Sequence, residues 1–421
     1  MNSNKIIVLL LIFIPSICLY AIDNPHFYRA NFFWGEPRFE EPLLSTFEVT
    51  FGGGSTKKSR NKNGKKTNLL NIYGLQNIQG LAQGVPNLDS TDPLDAILID
   101  LVTLPERDNF GKIRFKGEFD VEELVLNGFQ NITNGFFIQA YLPIRALHIY
   151  DIHFIDESPT DNIFPNRNTP QWLNFLSNSN AIFERFNRSI NNVSEWGIGD
   201  LSILVGWARN YQETCYIDYI DVDAKVGILF PTAKKASLDN PFSLPLGYNG
   251  FYGLPFKFDC SIGYWEWLTA GFHIGALFLF DREKLLALKT APDQNGFIFL
   301  AQGEAHVDPG TYWELSTYIK ADHILKGLSL LVGYCYTQKD ADCVRPYNSA
   351  VFNLLIVNDD ERFKLWNMHV IHWLIEYDVS KKPTDLKPRL GIVSNLLVGG
   401  KRVFNTSIIG PFLGLDISWC F

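Results

Sequence analysis

The chain has 421 residues, a formal net charge of -8 and a mean hydropathy of -0.02, yet 14% of it is aromatic. The mildly acidic balance argues against a nucleic-acid partner, and the aromatic content is above that of an ordinary soluble enzyme. Six cysteines without a CxxC pair give neither a zinc site nor a disulfide framework, although Cys335 and Cys343 could pair at a loop base; no metal or cofactor is implied.

At the amino terminus, Lys5 precedes the apolar stretch Ile6 to Leu19, and Leu19-Tyr20-Ala21 is a cleavage site, so residues 1–21 read as a secretory signal peptide. The stretch is short for a membrane anchor, and Ile17 before Cys18 disfavours a lipoprotein. Residues 22–43 are rich in aromatics and Pro, and either tuck into a lumen as a plug or lie along a periplasmic rim. From residue 44 to 421 the pattern is one of strands. Phe47, Val49 and Phe51 alternate with polar neighbours, as strand geometry requires of a half-apolar sheet. Ile113, Phe115, Phe119 and Val121 alternate with Lys112, Arg114, Lys116, Glu118 and Asp120. Phe136 to Ile144 alternate with Gln139, Tyr141 and Arg145, and Leu201 to Trp207 with Asp200 and Ser202.

The same period continues: Ile220 to Phe230 against Asp221, Asp223 and Lys225; Leu254 to Tyr264 against Lys257 and Asp259; Leu268 to Phe280 against His273 and three small residues. Gly271 and Gly275 form a GxxxG pair there, but the segment is too short to cross a bilayer as a helix. Trp313 to Ala321 alternate with Glu314 and Lys320, and Leu328 to Tyr336 with Ser329 and Thr337. Residues 366–378 shift parity near Val370, which predicts a bulge. Residues 388–399 make a weak strand, and the last strand ends the chain with Leu413, Leu415, Ile417, Trp419 and Phe421 on one face.

The expected fold is all-β: a single transmembrane antiparallel β-barrel of about twelve strands, an even number. The charged alternates, Lys112, Arg114, Lys116, Glu118, Asp120, Arg145, Asp200, Asp221, Asp223, Lys225, Lys257, Asp259, His273, Glu314 and Lys320, are then expected to line the pore. Connection lengths fit long extracellular loops and short periplasmic turns: 54–109, 147–196, 231–250, 281–310 and 339–362 are long, and those between them are short. Spacing predicts short helices over 69–81 and 170–186. The basic run 55–66 (STKKSRNKNGKK) reads as a solvated flexible loop or as a cationic patch for lipopolysaccharide phosphates. His148, Asp151 and His153, Glu304, His306 and Asp308, and the carboxylates of 89–95 each offer a metal-like grouping, and each is more simply a solvated loop feature.

A strand ending in a carboxyl-terminal Phe resembles the last strand of bacterial outer-membrane barrels, where that aromatic is the signal read by the barrel-assembly machinery. By that resemblance Trp419 and Phe421 carry the assembly signal. Gly197-Ile198-Gly199-Asp200, followed by Val226-Gly227-Ile228-Leu229-Phe230-Pro231-Thr232, resembles the outer-membrane transporters associated with phenol-degradation pathways. Ala233 stands where that family often has Gly. The resemblance implies an outer-membrane channel of a Gram-negative-type bacterium for small solutes, hydrophobic or aromatic compounds among them, with membrane lipid and lipopolysaccharide as surroundings. Analogy with the fatty-acid channels gives Phe27, Phe32, Phe33 and Trp34 a plugging role. Two other readings stand beside passive, selective transport. One is a barrel hydrolase using His273, His369 or His372; the other is a structural or adhesive surface barrel.

Overall fold

The computed structural model describes residues 25–31, 44–212, 217–265, 267–325, 327–379 and 386–418. The signal peptide, Phe32, Phe33 and Trp34 of the plug candidates, and Trp419 and Phe421 lie outside the described residues.

Twelve long strands form the wall. The first six are β1 (Leu44–Thr56), β2 (Lys112–Asn131), β3 (Phe136–Asp156), β4 (Leu201–Gln212), β5 (Tyr219–Phe230) and β6 (Gly253–Tyr264). They are followed by β7 (Leu268–Leu279), β8 (Tyr312–Leu325), β9 (Leu328–Lys339), β10 (Trp366–Asp378), β11 (Leu386–Lys401) and β12 (Ile408–Ser418). Each pairs antiparallel with its neighbours in sequence, and β1 pairs with both β2 and β12, so the sheet closes. A closed ring leaves no backbone N–H or C=O row at a free edge, the condition for a β structure in hydrocarbon. Among the described residues no helix is long and apolar enough to cross a membrane. The expected bulge lies on the neighbouring strand instead. Residues 366–378 keep one parity, with Trp366, Met368, Val370 and His372 all buried. The β10–β11 register shifts between His369 and Val370 because β11 carries the extra residue, Gly399 facing His369 and Leu397 facing Val370.

Alternation sorts side chains to the two faces of the wall. Phe47, Ile138, Val205, Phe272, Leu315, Tyr334, Trp373, Ile392 and Leu413 are exposed on the outer face. Their strand neighbours Glu48, Gln139, Leu204, His273, Glu314, Cys335, His372, Val393 and Phe412 are buried on the inner one. At the short-turn end the outer belt is ringed by exposed Tyr211, Tyr264, Trp265, Trp267 and Tyr377, and toward the other end by Tyr252, Phe278 and Phe280. Two aromatic girdles flanking an aliphatic band are what a lipid-facing barrel surface carries.

One expectation is reversed. Lys112, Arg114, Lys116, Glu118 and Asp120 do not line the lumen; they lie on the outer face of β2, while Ile113, Phe115, Phe119 and Val121 are buried inside. The pairing proves the parity, since Asp120 lies opposite Ser55 and Leu124 opposite the exposed Phe51. The cause is length. β2 and β3 have 20 and 21 residues, where about 9–11 suffice to cross a bilayer. Beyond the belt the outer face meets water, and the inner face meets a core built from the long connections.

That core is aromatic. Phe119 packs on Phe404 with ring centroids 5.2 Å apart, Phe115 on Phe242 at 5.2 Å, Phe242 on Phe297 at 5.4 Å and Phe110 on Trp172 at 5.8 Å. Helices α1 (Ile78–Gln83), α2 (Pro93–Val102) and α3 (Pro170–Arg185) lie over it. The α3 helix starts on Pro170 and buries Trp172, Phe175, Ser179, Ile182 and Phe183, one stripe at helical spacing. The α2 helix explains the carboxylates of 89–95. Asp92 is its N-cap, accepting from the backbone N–H of Leu94 and Asp95, and Asp95 accepts from Asp89 N.

The two faces predict opposite responses to charge. Leu413→Arg, in the middle of β12 on the belt, is expected to cost about 2–4 kcal/mol of folding free energy in lipid vesicles. Lys116→Leu, on the watered extension of β2, is expected to stay within about 0.5 kcal/mol. Equal costs in a urea titration would contradict the placement of the belt.

Candidate functional site

The lumen is the site, and its occupants come from three places. The first is the stretch 25–31, which joins no strand and lies in the interior: Tyr28, Arg29, Ala30 and Asn31 are all 0% exposed. Phe27 is the one plug candidate within the described residues; its ring meets Phe404 edge-on at 5.5 Å and Tyr28 at 5.6 Å. Its carbonyl accepts from Phe404 N at 2.8 Å. Tyr28 stacks on His26 at 4.8 Å and donates to Pro245 O at 2.8 Å, and Asn31 Nδ2 donates to Thr337 Oγ1 at 2.7 Å.

A shared carboxylate fixes this stretch. Glu123 on β2 lies directly opposite Arg145 on β3, and Arg145 Nε and Nη2 reach Glu123 Oε1 at 2.8 and 2.7 Å. Arg29 Nε stands 2.9 Å from the other oxygen, with both side chains fully buried. Arg145 Nη1 also contacts His26 Nε2 at 2.9 Å and donates to Leu246 O at 2.5 Å. Burial, then the guanidiniums of Arg145 and Arg29, hold the His26 imidazolium well below its ordinary 6.5, so the ring is neutral here. Arg145 is therefore inward, as expected, but it spends its donors on structure. Asp200 is fully buried beside it and accepts from Ala233 N at 2.9 Å and Tyr248 N at 2.5 Å, holding the 231–252 connection.

The second group lies on β1, β10, β11 and β12. Arg389 reaches Glu376 at 2.9 Å, Asp416 at 3.1 Å and Glu48 at 3.1 Å. Glu48 is two strands away, and Gly414 stands between them in the row Glu48–Gly414–Arg389. A Cβ on Gly414 would sit 2.8 Å from Arg389 Cζ, so only glycine lets the guanidinium lie across β12. None of these four is among the expected pore-lining residues: Glu48 and Asp416 are single charges on the polar faces of cleanly alternating strands, and Glu376 and Arg389 come from segments whose alternation is shifted or mixed.

The third group faces from β5, β6 and β7. Asp223 lies opposite Asp259, and Lys225 opposite Lys257. Like charges directly opposite repel; a diagonal contact, Lys225 to Asp259 at 3.3 Å, and two contacts along the strands, Lys225 to Asp223 and Lys257 to Asp259, each at 3.5 Å, offset this. His273, opposite Asp259 on β7, contacts it through Nδ1 at 2.5 Å. Glu314 follows in the row Lys257–Gly275–Glu314, Asp221 accepts from Asn210 at 2.6 Å, and Lys320 pairs with Asp322 at 3.0 Å.

Other sequence candidates do not assemble. His153 Nδ1 lies 2.9 Å from the Asp151 carbonyl and 3.6 Å from its carboxylate, with both side chains exposed, while His148 points outward on β3. His306 pairs with Asp281 at 3.0 Å, not with Glu304 or Asp308. Among the described residues no three His, Cys, Asp or Glu side chains gather to hold a metal. Cys335 and Cys343 are free thiols. His369 lies beside Tyr334 on the outer face, and His372 contacts Asn395 at 2.5 Å inside.

No protein-family model matches the sequence, and no curated protein matches it. Among solved structures, an outer-membrane channel from Pseudomonas putida F1 is similar at 10% identity, covering 91% of this chain and 98% of that one, with a TM-score of 0.45. A deletion mutant of the monoaromatic hydrocarbon channel TodX aligns at 9% identity over 91% and 92%, TM-score 0.36. A Pseudomonas aeruginosa FadL homologue aligns at 10% over 90% of both chains, TM-score 0.32.

The shared carboxylate gives two expectations. Glu123→Gln leaves Arg29 and Arg145 without the anion between them and is expected to cost about 3–5 kcal/mol; Arg29→Met, which keeps the Glu123–Arg145 pair, costs less. Chemical unfolding of both variants checks the order. A His whose folded pKa is depressed binds fewer protons folded than unfolded, so its contribution is complete above pH 6.5 and lost as pH falls below it. The melting temperature of the wild type is expected to drop below pH 6.5 more steeply than that of His26→Phe. Parallel curves would contradict a neutral His26.

Proposed function

We propose that this chain is an outer-membrane channel for passive, selective passage of small solutes, hydrophobic or aromatic ones among them, closed at rest by its own residues 25–31. The observation that carries it is a closed twelve-strand wall whose lumen is filled by a stretch that is not part of the wall. A structural barrel needs no such separate occupant, and a wall strand could not leave without opening the ring. Tyr28 and Phe27 cover the rings of Phe119 and Phe404 in the packed interior at the long-loop end, so departure of the stretch 25–31 would expose flat ring faces that suit aromatic solutes. The charged rows on the opposite walls below it admit polar groups and water, and their ion pairs restrict the bore, favouring selection over free diffusion.

On this reading the long connections are extracellular, the short turns and both chain ends periplasmic, and residues 1–21 a removed signal peptide. The belt sits in outer-membrane lipid beneath lipopolysaccharide, and β12 is the strand presented to the barrel-assembly machinery. This reading favours a transporter over an enzyme: Asp259 and His273 adjoin, but both are held beside Lys225 and Lys257 on the wall's inner face.

Planar-bilayer recording tests the proposal. Wild type is expected to give rare, small conductance steps. A variant lacking residues 25–31 is expected to open at least several-fold more often. A disulfide between Asn31→Cys and Thr337→Cys, whose parent side chains touch, is expected to silence the steps until reductant is added. A deletion variant that folds yet conducts no more than wild type would sink the plug, and no conductance from any variant would sink the channel.

A further inference from the structure

The basic run 55–66 is not a loose loop. Lys58–Arg60 pairs with Lys66–Asn68, and on its other side with Val403–Phe404, making a three-stranded sheet of its own above the belt. Its inner face is anchored: Ser59, Val403 and Phe404 are 0% exposed. Its turn is pinned by Asn61, whose Oδ1 accepts from Asn63 N at 3.0 Å and Lys65 N at 3.1 Å, with Gly64 at φ +75°. Arg60 is consumed in holding the sheet to the wall, donating to Asn405 Oδ1 at 3.1 Å and Val398 O at 2.9 Å.

The remaining cations are displayed. Lys58 and Lys66 are exposed; Lys66 stands opposite Arg60, and Lys58 lies two residues before it on the same face. A Cβ on Gly64 would lie 3.9 Å from Lys401 Cγ, so the turn brings Lys65 beside exposed Lys401 at the end of β11. Among the described residues no ion pair engages Lys65, Lys66 or Lys401. Lys57 and Lys62 are tied to Glu118 and Glu361.

Height decides what this face meets. Val398, 47% exposed, is the last outward apolar residue of β11, and Lys401 follows three residues later. Three residues of a strand tilted by roughly 45° rise about 7 Å along the membrane normal. The polar headgroup layer is about 5–8 Å deep on each side of the hydrocarbon, so the lysines stand within it.

We propose that Lys58, Lys65, Lys66 and Lys401 form a docking surface for the phosphate groups of lipopolysaccharide in the outer leaflet. The assignment rests on the outer-membrane reading above and names the lipid partner of that membrane. A rigid array of four ammonium groups at headgroup depth matches an anion carrying phosphates on a wide glycolipid base, and each lysine adds favourable attraction to such a surface.

The test is binding of the refolded protein in neutral micelles to bisphosphorylated lipid A, and separately to the same lipid with its phosphates removed. Wild type is expected to bind the phosphorylated form at least tenfold more tightly. The Lys58→Gln/Lys65→Gln/Lys66→Gln/Lys401→Gln variant is expected to lose that preference, on the order of a hundredfold in affinity, while Arg209→Gln, an exposed cation at the other end of the barrel, keeps it. Heat-modifiable migration on gels confirms that each variant is folded. Should the quadruple variant not fold, Lys65→Gln/Lys401→Gln at the turn is used in its place. No phosphate preference in wild type, or unchanged binding by the lysine variant, overturns the assignment. Bilayer conductance of the same variants is expected to be unaffected, so a failed channel and a failed docking surface are read separately.

Discussion

The structure depends on the backbone pairing that joins β1 to β12. With β1 bonded to β2 on one side and β12 on the other, every wall strand has two partners. An unpaired amide in hydrocarbon costs several kcal/mol, so a belt like this one can exist only as a completed ring. Completion also fixes register. Register fixes parity, because residues directly opposite in an antiparallel pair share a face. The lumen's chemistry is therefore written in rows around the ring rather than along any one strand: Asp223–Asp259–His273–Ser316 is one such row and Glu48–Gly414–Arg389 another. A glycine within a row lets a long side chain reach a strand it does not touch.

Parity alone does not say which face is oil. In the belt the outside is apolar and the inside polar; along the extensions of β2 and β3 the two exchange, and β2 keeps one parity throughout, the register shift between Lys116 and Glu118 being an extra residue on β3. Beyond the apolar belt the outer residues of β2 are charged, while its inner ones meet the aromatic core under α1, α2 and α3. A polar face opposite an apolar face is the same pattern in both regimes. Only the neighbours decide the sign, and those neighbours are loops distant in sequence.

This is why the fold was legible and half of the lumen was not. Alternation through Phe47, Ile138, Ile228 and Leu413 and the long-short rhythm of connections are local features, and they define twelve strands without any tertiary information. The charged run from Lys112 to Asp120 reads as inward only if one rule, apolar out and polar in, holds along the whole strand, and it does not hold beyond the belt. The sequence does hold a correcting signal. Glu122 and Glu123 are adjacent, so one of them must point inward under either assignment. Glu123 is that one, and it is the carboxylate on which Arg29 and Arg145 converge. The Arg389 cluster left no such mark, since its four members come from four strands and meet only on closure.

The energetics of the lumen occupant differ in kind from those of the wall. Among the described residues, the stretch 25–31 meets the barrel through a main-chain bond from Phe404 N to Phe27 O, side-chain hydrogen bonds, ring contacts, the His26–Arg145 contact and the Arg29–Glu123 pair. A buried ion pair contributes little net stability compared with apolar groups of the same shape, because desolvation offsets its Coulomb attraction. Its deletion on one side is nonetheless costly, because the surviving charge is left buried. The pair therefore specifies where the stretch sits more than it strengthens the hold. Ring contacts such as Phe27–Phe404 add about 0.5–1.5 kcal/mol each beyond burial, a sum far below what a wall strand's two hydrogen-bond ladders provide. A wall held by complete backbone ladders and an occupant held by side-chain contacts differ in strength, and on the proposed function that difference would let the occupant leave while the ring stays shut.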